Sequence, residues 1–215
     1  MWQQLYDGES FVYIADYKAG EEYERLELSP SYASGEHAFE MINEFYAFFT
    51  EVRNQKIRLR RHYTLFIEEW FGLLTYAENI SKKLKTDLMS KVGEILAVGR
   101  GLNIGIMLCV QRADASLFST GAREQFQCIL SFGRCSAEQF RMLGFSGELE
   151  ENPTIHYKAG EALALIDGQD SVKEIIVPLI ENEDELSNQI FYYLCKQPDI
   201  AELRRTVAGG GRAAQ

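Results

Sequence analysis

An apolar run that stops abruptly at two adjacent carboxylates constrains this chain more than any other segment. It reads His62-Tyr63-Thr64-Leu65-Phe66-Ile67-Glu68-Glu69-Trp70. A short, continuous apolar run suits a strand buried on both faces, as in a parallel sheet covered by helices. In open α/β folds, ligands bind at the carboxyl ends of such strands. Glu68 and Glu69 stand where this strand ends. Neighbouring strand residues point to opposite faces, but where the chain turns out of the sheet both acids can reach one ligand. A hydrolytic nucleotide site needs one acid to hold metal-bound water and another to orient the attacking water. The same pattern also occurs as solvated charges at the end of a strand.

The flanking sequence supports an α/β domain. With 215 residues, the chain suits one such domain with a small appendage. Phe11 to Ala15 reads as a short buried strand leading into Asp16-Tyr17-Lys18 and a turn at Gly20. Glu21 to Ser34 looks irregular. From Glu36 to about Arg58, Phe39, Ile42, Phe45, Tyr46, Phe49 and Val52 recur at three- and four-residue steps, which predicts a helix. Tyr63 to Ile67 is the second strand. A second long helix is expected from about Asn79 to Val98, ended by Gly99 and Gly101. Ile104 to Val110 is the third strand and Cys128 to Phe132 the fourth, and Ser136 is placed to cap a short helix, Ala137 to Leu143. After the Gly- and Glu-rich stretch Gly144 to Pro153, Glu161 to Ile166 and Val172 to Pro178 resemble a hairpin around Asp167-Gly168-Gln169-Asp170. Asp184 to Lys196 and Ile200 to Arg205 read as helices, which puts the domain over residues 1–207. The tail from about residue 208, Gly209 to Gln215 above all, is expected to be mobile.

Composition narrows the function classes. A formal charge of −10 argues against a broad nucleic-acid-binding surface but leaves room for a local one. Lys56, Arg58, Arg60 and Arg61 cluster before the second strand, and Lys82, Lys83 and Lys85 after it. No run approaches the roughly 18 apolar residues of a membrane span. Met1 to Ser10 lacks the basic-then-apolar pattern of a signal peptide. The four cysteines, Cys109, Cys128, Cys135 and Cys195, form no C-x-x-C and read as reduced thiols of a cytoplasmic protein.

A second polar-ended strand sharpens the site. Gln111 follows the third strand as the Glu pair follows the second, and an amide there can contact both a γ-phosphate and a catalytic water. Read together, Leu65-Phe66-Ile67-Glu68-Glu69-Trp70, Val98-Gly99-Arg100-Gly101-Leu102-Asn103-Ile104-Gly105-Ile106 and Cys109-Val110-Gln111-Arg112 resemble the FtsK/SpoIIIE branch of the HerA–FtsK DNA-translocating ATPases. Phe11 to Lys18, with its Asp-x-Lys ending, resembles the strand after the Walker A helix of that family. Ala122-Arg123 resembles a pair in short FtsK-like proteins of Gram-positive mobile elements. The likeness covers roughly residues 10 to 180.

The resemblance implies a P-loop NTPase of the RecA-like, additional-strand type: a three-layer αβα fold with a mostly parallel sheet. It also implies ATP and Mg²⁺ as cofactors, double-stranded DNA as partner and a homo-oligomeric ring. Glu69 matches the catalytic glutamate, and Gln111 the polar sensor. Glu68 matches the Mg²⁺-associated aspartate, although the glutamate's extra methylene shifts its carboxylate by about 1.5 Å. Arg123 and Arg134 are candidates for an arginine finger acting in trans on a neighbour's nucleotide. The phosphate-cradling G-x-x-x-x-G-K-[ST] occurs nowhere in these residues. The family's Walker A strand belongs between the strand ending in Gln111 and Cys128 to Phe132. Either those two strands pair directly or another chain fills the gap. The expectation is a truncated or alternatively started piece of a longer motor, not a competent ATPase alone. Competing readings are a non-catalytic degenerate motor domain acting as an interaction or regulatory subunit, and an unrelated acidic α/β domain.

Overall fold

The computed structural model of the chain describes residues 10–118, 121–145, 155–169 and 172–210. The N-terminal acids, most of the Gly144–Pro153 stretch, Asp170 of the hairpin turn and the end of the tail lie outside the described residues. The described chain divides into two units, residues 1–111 with 182–215, and residues 112–181.

The first unit is built on a four-stranded, all-parallel sheet in the order β2-β1-β3-β4. These strands are β1 (Ser10–Asp16), β2 (Tyr32–Ser34), β3 (His62–Glu68) and β4 (Ile104–Leu108). The central run is a strand, as its composition predicts, and Tyr63 to Ile67 are all buried. Parallel register pairs Asp16 with Glu68 and Ile67 with Leu108, which brings the carboxyl ends of three strands to one edge.

Alternation of side chains along the strands builds three layers. On one face, Tyr13 packs against Phe45 and Tyr63 against Phe48, with ring centroids 6.0 and 5.0 Å apart. Phe45 and Phe48 belong to helix α1 (Ala38–Asn54). On the other face, Val12, Ile14 and Phe66 pack with Leu194, Phe191 and Ile190 of a helix near the C-terminus, and with Tyr23 of the 3-10 turn Glu21–Leu26. The segment between β3 and β4 is two helices, α2 (Trp70–Ile80) and α3 (Lys82–Val98), with Ser81 accepting from Leu84 N–H to cap the second.

The second unit has a different sheet. β5 (Cys128–Phe132) pairs antiparallel with β8 (Glu161–Ile166), which pairs antiparallel with β9 (Lys173–Ile176). The expected hairpin is therefore present, but β5 is not a strand of the parallel sheet. β4 and β5 do not pair, and among the described residues β4 has no strand on its outer side. A two-residue ladder joins β6 (Arg134–Cys135) to β7 (Ile155–His156). Helix α4 (Ala137–Leu143) opens with a capping box between Ser136 and Gln139, which satisfies two otherwise orphaned amides. One face of this unit's sheet, with Ile129, Leu163 and Leu165, packs against Cys135, Phe140 and Phe145.

After residue 181 the chain returns to the first unit as α5 (Glu183–Cys195) and α6 (Ile200–Ala208). The Gln197 side chain accepts the Val12 N–H at 2.7 Å, and the Tyr13 hydroxyl donates to the Pro198 carbonyl. The Ser29 and Ser31 hydroxyls both donate to the Leu194 carbonyl. All four cysteines are free. No helix among the described residues is long and apolar enough to cross a membrane.

Candidate active site

Glu68 is the last residue of β3 and Glu69 the first beyond it, both half-buried at the carboxyl edge of the parallel sheet. Glu69 adopts φ 54° and ψ 54°, a left-handed conformation uncommon for a residue with a Cβ. Such strain persists where the surroundings enforce it, and it concentrates at functional sites. Here the enforcement is visible. Cys109 N–H donates to the Ile67 carbonyl at 3.0 Å, continuing the parallel ladder, and the Trp70 N–H donates to the Cys109 carbonyl at 3.1 Å. Trp70 itself is fully buried and anchors the start of α2. Gly72 leaves the room that Glu69 needs: a Cβ there would lie 3.1 Å from the Glu69 Cγ and 3.3 Å from the Tyr17 ring.

Neighbouring groups complete the edge. Asp16, at the end of β1, is fully buried. Its carboxylate accepts the Ala19 and Gly20 N–H groups at 3.1 and 2.9 Å and the Tyr32 hydroxyl at 2.9 Å. These bonds fix the turn that carries Lys18, which is paired loosely with Glu22 at 3.5 Å. Gln111, two residues past Cys109, is exposed. The Cys109 carbonyl bond to Trp70 brings the chain leaving β4 beside the Glu69–Trp70 peptide, so the Glu pair and Gln111 belong to one sheet edge.

Burial raises the Glu68 carboxyl above its ordinary value, and Asp16 and Glu69 push it the same way. The neighbouring Cys109 thiol and the Lys18 ammonium act in the opposite direction. The Cys109 thiol is pushed up to about 12 by burial and by the Glu68 charge, so it is a proton donor at neutral pH. Among the described residues, no three His, Cys, Asp or Glu side chains form a ready metal cage. A lone carboxylate with like charges beside it suits Mg²⁺, which takes one or two protein carboxylates and fills its other positions with water and phosphate. The carboxylate half of a nucleotide site thus fits, whereas the phosphate-cradling motif is not among these residues.

The raised Glu68 value has a measurable consequence. A carboxyl raised in the folded state is fully compatible with folding below the unfolded value. It costs stability as pH rises through the folded one. Glu68→Gln is therefore expected to be more stable than wild type at neutral pH. The gap should close as pH falls toward the ordinary glutamate value, in urea unfolding followed at both pH values.

The remaining candidates lie in the second unit. The Arg123 guanidinium donates to the Met142 carbonyl at 2.7 Å and so caps the end of α4. Arg134, on β6, is exposed. Arg112, next to Gln111, is ion-paired with Glu138 at 3.2 Å. Of the two basic clusters, Lys56, Arg58, Arg60 and Arg61 are exposed before β3, at the sheet end opposite the carboxylates. Arg61 lies over the Phe11 ring. Sequence reasoning missed Cys109 and Gly72. A cysteine and a glycine carry no signal of their own until the strand register is known.

Comparison with known proteins bears on the fold. No family model matches the chain, and no curated protein matches it by sequence. Solved structures do match. The cytoplasmic domain of the Thermomonospora curvata type VII secretion ATPase EccC superposes with a TM-score of 0.55 at 16% identity, over 88% of this chain and 24% of that one. The pCW3 conjugation coupling protein TcpA, with ATPγS, gives 0.58 at 14% identity, over 89% and 58%. The genome packaging NTPase B204 of Sulfolobus turreted icosahedral virus 2, in complex with AMPPCP, gives 0.54 at 15%, over 83% and 88%. The fold is that of the P-loop NTPases. Within them, the matched structures are ATPases of the FtsK/HerA type. This chain spans about a quarter of the EccC chain and over half of TcpA.

Proposed function

We propose that this chain is part of an ATP-driven, FtsK-like DNA translocase and supplies the Walker B glutamate, Glu69, and the sensor glutamine, Gln111. The observation that carries the reading is Glu69 itself, held left-handed at the end of a buried strand, on a fold shared with structures bound to nucleotide analogues. The cofactors are ATP and Mg²⁺, with the phosphate loop supplied by a segment outside these residues. When bound, the metal polarises the phosphate and orders water. Glu68 would hold the metal or one of its waters. Glu69 accepts the proton of the attacking water and orients it. Gln111 reports on the γ-phosphate from the neighbouring strand. The intact motor is a cytoplasmic homo-oligomeric ring around double-stranded DNA, and its subfamily is that of short translocases from Gram-positive mobile elements. Arg134, exposed on β6, is the better candidate for a trans-acting finger, since Arg123 is engaged within its own unit.

Calorimetry with Mg·ATP and phosphate release with duplex DNA test this. The chain alone is expected to bind Mg·ATP far more weakly than micromolar. Hydrolysis should appear when a strand–loop–helix segment carrying G-x-x-x-x-G-K-[ST] is supplied. Micromolar affinity of the chain alone overturns the incomplete site. Absence of hydrolysis with the loop supplied and nucleotide bound favours the non-catalytic subunit instead.

A further inference from the structure

We infer that segment 56–61, through Lys56, Arg58, Arg60 and Arg61, is a contact site for the phosphate backbone of duplex DNA at the amino end of the parallel sheet. Duplex DNA as the ligand rests on the reading above. The site itself rests on charge and geometry in which nucleotide has no part.

Charge is the first observation. The chain as a whole is acidic, with a formal charge of −10, yet no Asp or Glu occurs between Asn54 and Ile67. Nearby cations are matched with acids, Arg53 with Glu94 and Lys91 with Asp87. Among the described residues, Lys56, Arg58, Arg60 and Arg61 have no ion-pair partner, and all four are exposed. Salt screens exposed charges beyond about 8 Å at physiological ionic strength. The acids elsewhere on the surface therefore do not cancel this patch, which attracts a polyanion locally on a protein that repels it overall.

The backbone holds these cations in place. As α1 ends, the Ile57 N–H donates to the Val52 carbonyl at 3.2 Å, and Lys56 takes a left-handed φ of 54°. The Leu59 N–H donates to the Leu102 carbonyl at 3.4 Å, and the Asn103 side chain donates to the Leu59 carbonyl. Exposure then alternates. Lys56, Arg58 and Arg60 face solvent, whereas Ile57 is half-buried and Leu59 is 1% exposed. Cations at every second residue lie no more than about 7 Å apart along the backbone, close enough for each to meet a different phosphate of one strand. Arg61 lies over the Phe11 ring, 5.0 Å from its centroid, which leaves the guanidinium edge open to an oxygen acceptor. A segment already fixed in the free protein loses less entropy on binding.

The side chains select the ligand. Three of the four are arginines, whose planar fork bonds phosphate oxygens in pairs. A membrane-surface segment sets aromatic or aliphatic side chains outward beside its cations, but here Ile57 and Leu59 are turned toward the protein. A single-strand groove offers exposed rings on which bases stack, and 56–61 contains no aromatic residue. Sequence-independent binding to duplex phosphates fits this set. The length of β3 puts roughly 20 Å between the patch and the Glu pair, so DNA held here does not compete with nucleotide.

Fluorescence anisotropy of the full chain with a labelled duplex of about 20 base pairs, without nucleotide and between about 50 and 200 mM salt, tests the site. Log affinity is expected to fall with log salt at a slope of about −3 to −4, as for four neutralised phosphates. Arg58→Gln with Arg60→Gln should weaken binding about tenfold or more and flatten the slope by about 2. Arg58→Lys with Arg60→Lys keeps the charge and should keep the slope. Lys82→Gln with Lys83→Gln removes the same charge from the exposed start of α3 and should change neither quantity. Equal losses in the two glutamine variants, or equal flattening in the lysine variant, overturn the site. So do absence of duplex binding by wild type and binding through 56–61 to phosphatidylserine vesicles but not to the duplex. Duplex binding through this segment together with failed hydrolysis leaves the site standing and removes the motor. Duplex binding indifferent to the segment removes the site and leaves the motor.

Discussion

Glu69→Gln is expected to lower phosphate release by about 10²–10⁴-fold in an assembly that contains the phosphate loop, the range typical of losing a positioned general base. Mg·ATP affinity should stay the same, because the amide occupies the same space and Glu69 is not the metal's carboxylate. Folding stability should also stay within about 0.5 kcal/mol, since Gln has nearly the same shape as Glu and the side chain is only half-buried. Glu69→Gly separates geometry from chemistry. Glycine takes the left-handed conformation without the roughly 1–2 kcal/mol penalty of a residue with a Cβ. That variant should be at least as stable as wild type in urea and equally inactive. Activity retained in either variant would remove Glu69 from the chemistry.

Trp70→Ala is expected to cost about 3–5 kcal/mol, as large aromatic truncations in a closed core do. Trp70 has no exposed surface and is the largest of the fully buried side chains among the described residues. It is also the first residue of α2, and its N–H donates to the Cys109 carbonyl. The cavity would therefore open directly beneath the Glu pair. Domains of this size have about 5–15 kcal/mol of stability in total, so a large fraction of it would be lost. Urea denaturation monitored by far-ultraviolet circular dichroism reads the shift in midpoint. A cost below 1 kcal/mol would mean that the indole is not packed as described.

Much of the first unit was legible in the sequence, for a physical reason. Strands buried on both faces leave unbroken apolar runs, and β1 and β3 stand out that way; β4 shows the same apolar run, although only Ile104 of it is buried. The long amphipathic helix α1 announces itself by the spacing of Ile42, Phe45, Phe49 and Val52. β2 was not legible, because three residues, Tyr32–Ser34, are too few to show a period. Their strand character comes from bonds to β1, such as Ile14 N–H to the Ser31 carbonyl. The direction of β5 was hidden too. Cys128-Ile129-Leu130-Ser131-Phe132 is nearly all apolar and suits a parallel or an antiparallel neighbour equally; only its pairing with β8 decides. At the site, the positions of Glu68, Glu69 and Gln111 could be read as polar residues ending apolar runs. The left-handed turn at Glu69 could not, because it depends on Cys109, forty residues away in the chain.

The return of the C-terminal segment has a consequence for how the protein is made. Val12, Tyr13, Ser29 and Ser31 are among the first residues of the described chain to leave the ribosome, yet their partners Leu194, Gln197 and Pro198 are among the last. Residues 112–181, a unit with its own small core, are synthesised between them. Vectorial synthesis therefore completes the inserted unit while one face of the parallel sheet is still bare. The first unit closes only when α5 and the loop after it emerge, so its apolar face is the surface that a nascent chain must keep shielded longest.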